Sequence, residues 1–320
     1  MILTVTLNAA LDRTLTVPNF ESGRRHRASD ALTLPGGKGV NVARALRNLG
    51  QPVIATGLAG GRTGTAIIEQ LTAEGILNDF VRIRDESRTS TAVVDPTSMQ
   101  QTEINEYGPS VGESELALLM EKLAYLAKGA DLVVLAGSLP RDVPVDTYAV
   151  LTEVLARPDL RIVVDVPGPA LRAALAAAPW LVSPNAREAE DVVGNEFSDD
   201  DDVAVGAEAL CSLGARSALV HDEGGCVARV EGVGGEGGRR TLRARIDVRS
   251  EVVSTVGSGD AFLAGFLAGT YDGAGVEEAL CRGVAAGAAS TQLLGAGVVD
   301  RADVDALARQ VVVEEVPAGS

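Results

Sequence analysis

The sequence predicts a layered α/β fold with a small extra β-sheet set into it. Three observations carry that reading. Short runs rich in β-branched residues alternate with helix-period segments along most of the chain. Glycines at 50 and 75 close the first two helical segments, as helix C-termini favour. The alternation breaks at roughly 13–35 and 88–107, where extended segments follow one another with no helix between them. With 320 residues, 46% of them apolar, the chain can bury a large core as one domain or as a main domain with a small extra one.

Residues 2–7 read as a strand ended by the polar turn 8–12. Two short extended segments follow, 14–17 and 31–34, separated by the charged, turn-rich 19–29. A glycine loop at 35–41 leads into a helix with Val42, Ala45, Leu46 and Leu49 on one face. Strand 53–58 and helix 64–74 come next, then segments 89–96 and 102–106, which pair as a hairpin across a polar turn. Alternation resumes with helix 114–127, strand 132–135, helix 146–156, strand 162–166, helix 171–178, strand 181–183 and helix 186–193. Helix 203–213 precedes a β-meander of 218–221, 226–230 and 241–248, with a glycine-rich loop at 232–238. A β-rich stretch at 252–256 meets a glycine turn, and helices starting at 260, at 276–293 and at 301–310 finish the chain.

A formal charge of −16 argues against nucleic acid and anionic membrane surfaces as partners, since both need basic stripes. The cysteines, Cys211, Cys226 and Cys281, are far apart and have no histidine in metal spacing. They read as small residues in a reducing cytoplasm rather than as a disulfide or zinc framework. The N-terminal apolar run is short and lacks a basic flank, so it is a strand and not a signal peptide, and no run is long enough to span a bilayer.

The densest chemistry lies at Thr255-Val256-Gly257-Ser258-Gly259-Asp260, followed at once by an apolar helical run. A glycine turn into a helix start aims free N–H groups and the positive end of the helix dipole at one spot. Asp260 in that first turn is within reach of the same spot as a general base; the plain alternative is an aspartate that only complements the dipole. Gly36-Gly37-Lys38-Gly39-x-Asn41 is a second glycine loop ahead of a helix. It lacks P-loop spacing, and nowhere does G-x-G-x-x-G follow a strand, because Phe262 stands where the third glycine would be. Lys38 with free N–H groups can grip a phosphate or sugar hydroxyls, or else be a solvated lysine on a turn. Asp12 follows a strand end, where ligands sit in open α/β sheets, or is an ordinary turn aspartate. Arg88 taken alone reads as a surface charge, and Asn185 with Glu188, on spacing alone, as a helix capping box, though the same pair suits Mg²⁺–phosphate. The acids at 199–202 read as a solvated helix start, and His26 and His221 support no hydrolytic triad.

Taken together, Thr6-Leu7-Asn8-x-x-Leu11-Asp12, the 35–43 glycine loop, Gly137-Ser138-Leu139-Pro140, Asn185-x-x-Glu188 and the 255–260 turn occur in the order seen in the PfkB (ribokinase-like) sugar kinases. The resemblance spans essentially the whole chain and is strongest to the branch acting on phosphorylated ketohexoses. It implies a doubly wound, mostly parallel sheet flanked by helices, with a body of 1–12, 36–87 and 108–320 and a β lid of 13–35 and 88–107. It implies ATP- and Mg²⁺-dependent phosphorylation of a ketohexose phosphate, fructose 1-phosphate first, with tagatose 6-phosphate and fructose 6-phosphate as alternatives; Lys38 favours the first two. A non-catalytic sugar-phosphate sensor is the reading from a different class.

By that resemblance Asp260 is the base, and the N–H groups of Gly257, Ser258, Gly259 and Asp260 steady the transferring phosphoryl group. Asp12, Gly37, Lys38, Asn41 and Ser138 hold the sugar, while Arg88 approaches its phosphate. Asn185 and Glu188 manage Mg²⁺–ATP, and Gly225 lies on the nucleotide side. Arg24 matches a basic lid residue that in some relatives reaches the neighbouring subunit's site, which implies a homodimer joined through the lid. Three departures stand out: alanine at 9 and 10 where a proline is usual, Ser258 for the usual alanine, and His221-Asp222-Glu223 in place of a hydroxyl and a first glycine. The last brings negative charge towards the nucleotide side.

Overall fold

The computed structural model describes residues 1–231, 239–247 and 252–316. The chain begins β1 (Ile2–Thr6), β2 (Ala10–Thr16), β3 (Asp30–Gly36), α1 (Lys38–Asn48), β4 (Val53–Gly60), α2 (Gly61–Ala73), β5 (Leu77–Ile83), β6 (Arg88–Asp95) and β7 (Gln100–Asn105). It continues α3 (Glu113–Leu126), β8 (Leu132–Ala136), α4 (Thr147–Leu155), β9 (Arg161–Asp165), α5 (Gly168–Leu175), β10 (Leu181–Val182), α6 (Ala186–Val193) and α7 (Asp200–Ser212). The last third is β11 (Ala218–Asp222), β12 (Gly225–Glu231), β13 (Arg239–Arg245), α8 (Ser258–Tyr271), α9 (Val276–Ser290), α10 (Arg301–Ala308) and β14 (Val312–Glu315).

The first strand is an interior one because all five of its residues are apolar or threonine and can be buried on both faces. The large sheet has ten strands in the order β14-β13-β12-β11-β10-β9-β8-β1-β4-β5. Strands from β5 to β11 run parallel, and β12, β13 and β14 add an antiparallel edge. Side chains alternate across it. Ile2 and Val134 face α1, α2, α8, α9 and α10 through Leu46, Ile67, Phe266 and Leu280. Leu3, Val5 and Val133 face α3 to α7 through Leu119, Tyr148, Leu171 and Leu210. Helices on both faces of a mostly parallel sheet make the fold doubly wound, as expected. Residues 260–269 of α8 are all buried, so this helix is apolar all round and packs between α1 and α9.

A separate four-stranded sheet, β3-β2-β6-β7, forms from the two interruptions, with β2 antiparallel to β3, parallel to β6, and β6 antiparallel to β7. It begins at Ala10, so Asp12 is one of its residues, paired with Leu34.

The structure corrects several sequence expectations. Helix α1 starts at Lys38, not at 42; Gly39 lies inside its first turn because α1 crosses β1 so closely that a Cβ there would come within 2.4 Å of Thr6 Oγ1. Residues 252–256 form no strand; instead the Val253 and Ser254 N–H groups both donate to the Thr291 carbonyl, at 2.7 and 3.1 Å. Strands β5 and β14 were not foreseen, since each lies at a sheet edge and exposed Leu77, Asp79 and Arg82 break the apolar run of β5. The glycine-rich loop expected at 232–238 and the end of the meander at Val248 fall outside the described residues.

Candidate active site

From β1 the sheet grows towards β4 and β5 on one side and towards β8 to β11 on the other. Such a reversal opens a crevice at the carboxyl ends of the strands. There β1 leads to Asn8, β8 to Ser138, and β9 ends on Asp165. Between the small sheet and this edge lies a cavity of about 500 Å³, lined by Asp12, Arg88 and Glu103 from one side and Gly37, Lys38, Asn41 and Ser138 from the other. A second cavity, about 780 Å³, is lined by Asn185, His221, Asp222, Gly225 and the turn Gly257 to Asp260. Lys38, Glu103 and Val256 border both.

Asp260 lines the larger cavity and is bonded to Asn41, which lines the smaller one. Gly257 caps α8 in the left-handed region (φ 77°), and a Cβ on it would come within 2.7 Å of the Ala296 Cβ. A Cβ on Gly259 would lie 2.6 Å from the His221 ring. The N–H groups of Gly259 and Asp260, in the lining of the larger cavity, have no acceptor among the described residues, whereas the Ser258 N–H, expected to be free, donates to the Thr255 carbonyl at 3.2 Å. The Asp260 carboxylate is 6% exposed and accepts a hydrogen bond from Asn41 Nδ2 at 2.8 Å. Burial first, and then the charge of Asp165, push its pKa up to about 7, against the opposing pull of Lys38 and the Asn41 bond. A carboxyl group poised there is a base at neutral pH.

Lys38 points inward rather than into solvent. Its ammonium donates to Asp165 Oδ1 at 2.8 Å and Glu188 Oε1 at 3.1 Å. Burial works against its charge, but Asp165, Glu188 and Asp260 outweigh that and hold it well above an ordinary lysine. Asn185 and Glu188 do form the capping box: Asn185 Oδ1 accepts from the Glu188 N–H at 2.8 Å, and Glu188 Oε2 from the Asn185 N–H at 3.1 Å. Among the described residues no group of three or more acids, histidines or cysteines gathers in metal spacing. A hard cation carried on phosphates needs no such cage, only one or two carboxylates reached through water, and the oxygens of Glu188, Asn185 and Asp165 fit that donor set.

Arg88, a surface charge by spacing, is half-buried; its Nε donates to the Asn8 carbonyl at 3.2 Å and its Nη1 to Ser90 Oγ at 2.8 Å. Asp12 packs over Gly36, where a Cβ would come within 1.8 Å of its carboxylate; burial raises its pKa while Arg88 and Arg44 lower it. Ser138 Oγ accepts from Asn8 Nδ2 at 3.2 Å. Gly225 is forced by β13: a Cβ would lie 2.0 Å from the Ala244 carbonyl. Arg24 lines neither cavity; it is exposed and pairs with Glu21 at 2.8 Å.

Of the negative charge expected from Asp222 and Glu223, that of Asp222 is compensated, while Glu223 lines the larger cavity. Arg245 Nη1 donates to Asp222 Oδ1 at 2.5 Å, and Arg245 also pairs with Asp200. Sequence reasoning misses Asp165, sets Glu103 aside because it alternates badly for a buried face, and reads His221 only as a departure on the nucleotide side. Asp165 was findable, because it ends a strand as the 8–12 turn follows one. Burial, followed by the charge of Lys38, depresses His221 to about 4, so its imidazole is neutral beside Gly259 and Phe262.

Comparison with known proteins points to one family. The chain is 31% identical over 316 residues to a protein of Borreliella burgdorferi named 1-phosphofructokinase, covering 99% of each. It is 33% identical over 319 residues to one of the same name from Rhodobacter capsulatus, covering 99% of this chain and 98% of that one. The structure of phosphofructokinase-2 from Escherichia coli in complex with substrates and products superposes with a TM-score of 0.87 at 30% identity, covering 96% of this chain and 98% of that one. Residues 4–301 match the profile described as pfkB family carbohydrate kinase, and the chain belongs to that family.

Proposed function

We propose that the protein transfers the γ-phosphoryl group of ATP to fructose 1-phosphate, giving fructose 1,6-bisphosphate and ADP. The observation that carries this is Asp260, buried at the start of α8 on the larger cavity and bonded to Asn41 of the smaller one, with a pKa near neutrality. In this reading the phosphosugar fills the smaller cavity and ATP the larger. Asp260 takes the proton of the acceptor hydroxyl, the hydroxyl oxygen bonds to the γ-phosphorus, and the bond to the ADP oxygen breaks. Free N–H groups at Gly259 and Asp260 face the charge that spreads over the phosphoryl oxygens, and Lys38 adds a fixed cation between the cavities. Positioning supplies much of the rest.

Asp12, Gly37 and Ser138 would bind the sugar, with Arg88 and Arg13, the lining cations not committed to Asp165, serving its phosphate. Asn41 would act mainly through Asp260. Mg²⁺ would neutralise charge on the ATP phosphates, with Glu188 and Asn185 facing it through water. Pairing of Asp222 with Arg245 supports the kinase over the sensor, since it compensates part of the charge the altered 219–225 stretch brings, with Glu223 still lining the larger cavity. The names of the relatives favour fructose 1-phosphate among the phosphosugars. The four-stranded sheet would serve as a lid of 13–35 and 88–107, closing over the sugar and joining two subunits so that Arg24 approaches the second site. Unpaired cysteines support a cytoplasmic setting.

A coupled ADP-release assay across fructose 1-phosphate, fructose 6-phosphate, tagatose 6-phosphate, fructose and ribose tests the substrate. The expected result is a kcat/KM for fructose 1-phosphate about tenfold or more above the others, a difference of about 1.4 kcal/mol in transition-state binding. Activity on unphosphorylated sugars alone would overturn the assignment.

A further inference from the structure

Arg44, on α1, is 4% exposed, an unusual place for a guanidinium. All five of its N–H donors find acceptors. Nε donates to Glu74 Oε2 at 2.6 Å and Nη2 to Glu74 Oε1 at 3.0 Å. Nη2 also donates to the Pro35 carbonyl at 2.7 Å, and Nη1 to the Ala296 carbonyl at 2.9 Å and to Asn41 Oδ1 at 3.4 Å. These acceptors lie on four different segments around the site. Pro35 leads from the small sheet into the Gly36-Gly37 turn. Ala296 backs Gly257, and a Cβ on its neighbour Gly297 would lie 2.3 Å from the Asn41 carbonyl. Asn41 holds Asp260 with its other amide atom.

Resting on the phosphotransfer reading above, we infer that Arg44 is a positioning residue: it fixes the Asn41 amide so that Nδ2 faces Asp260, and ties the sugar-side glycine turn to the catalytic turn. An amide can rotate to present oxygen or nitrogen to a neighbour. An oxygen facing the Asp260 carboxylate would repel it, and the guanidinium on the far side of the amide is what selects the nitrogen. Lysine cannot replace the fork, because one ammonium cannot reach all four segments. The charged groups around Asp260 are Lys38 on α1, Asp165 on β9 and Asp12 on β2; Arg44 lowers Asp12 by its charge, which Arg44→Lys keeps.

The test uses the intact protein with Arg44→Lys, and Glu74→Gln, which loosens the same guanidinium, should Arg44→Lys not fold. With fructose 1-phosphate, kcat is expected to fall about 10- to 100-fold, as for a small misplacement of a reacting group, while KM stays within about threefold. The acid limb of the kcat/KM profile should move up by about half a pH unit or more, because the base loses a stabilising donor. The same upward move should appear without substrate, in the pH at which the Tm difference between the variant and its Asp260→Asn double mutant changes. A folded variant with lower Tm but unchanged kcat and pH midpoints would overturn the inference. Absence of wild-type turnover would instead count against the function, and the substrate-free midpoint would still decide the role of Arg44.

Discussion

Asp260→Asn is expected to lower kcat by about 10²- to 10⁴-fold while leaving phosphosugar binding, measured by calorimetry, within a few-fold of wild type. The amide is nearly isosteric, and its oxygen can still accept from Asn41 Nδ2, so this bond is kept. What is lost is a proton acceptor. In the wild type, kcat/KM should fall about tenfold per unit as pH drops below the Asp260 value of about 7. Stability has the opposite dependence. The folded pKa lies above the ordinary 3.8, so the favourable contribution is full below about 4 and lost as pH rises through about 7. Above that pH the wild type carries the cost of a buried charge, on the order of 4 kcal/mol, and Asp260→Asn should be the more stable protein. A variant with near-normal kcat would remove the base assignment, whatever its stability.

Lys38→Met is the second large effect. The ammonium joins Asp165, 2% exposed, to Glu188, and the methionine has similar volume but no charge. Breaking a buried pair from one side leaves the other charge stranded, which costs about 3–5 kcal/mol. Burial already raises Asp165 and the Lys38 charge lowers it, so removing the lysine drives it further up. A raised carboxyl loses its stabilising contribution as pH rises through its folded value, so the deficit in chemical denaturation should be larger at pH 8 than at pH 5. Turnover should fall as well, because the fixed cation bordering both cavities is gone. A loss independent of pH would show that Asp165 does not depend on this partner.

Much of the fold was legible because the large sheet repeats one pattern. Buried strands such as β1 and β8 are apolar or threonine throughout, and glycines end α1 and α2. The glycine turns at 36–39 and 257–259 were legible for a related reason: each stands where a neighbouring segment leaves no room for a Cβ. The edge strands of the large sheet were not, since β5 mixes exposed and buried positions and β14 has no fully buried one. Nor were the ion pairs that organise the site. Lys38 and Asp165 are 127 residues apart, and nothing local marks them as partners. Arg245 reads as an ordinary strand arginine until the fold brings it under Asp222. Arg44 follows the glycine loop closely in sequence, yet four of its five bonds go to residues outside α1. Short-range geometry showed where ligands sit, while charge compensation waited on the topology.

The most direct test is product identification by ³¹P and ¹³C NMR after incubation with Mg²⁺–ATP and fructose 1-phosphate. The account predicts fructose 1,6-bisphosphate and ADP in equal amounts, with no inorganic phosphate, because Asp260 activates a sugar hydroxyl held in a cavity rather than water. ADP with inorganic phosphate alone, or folded protein that forms no bisphosphate, would contradict it.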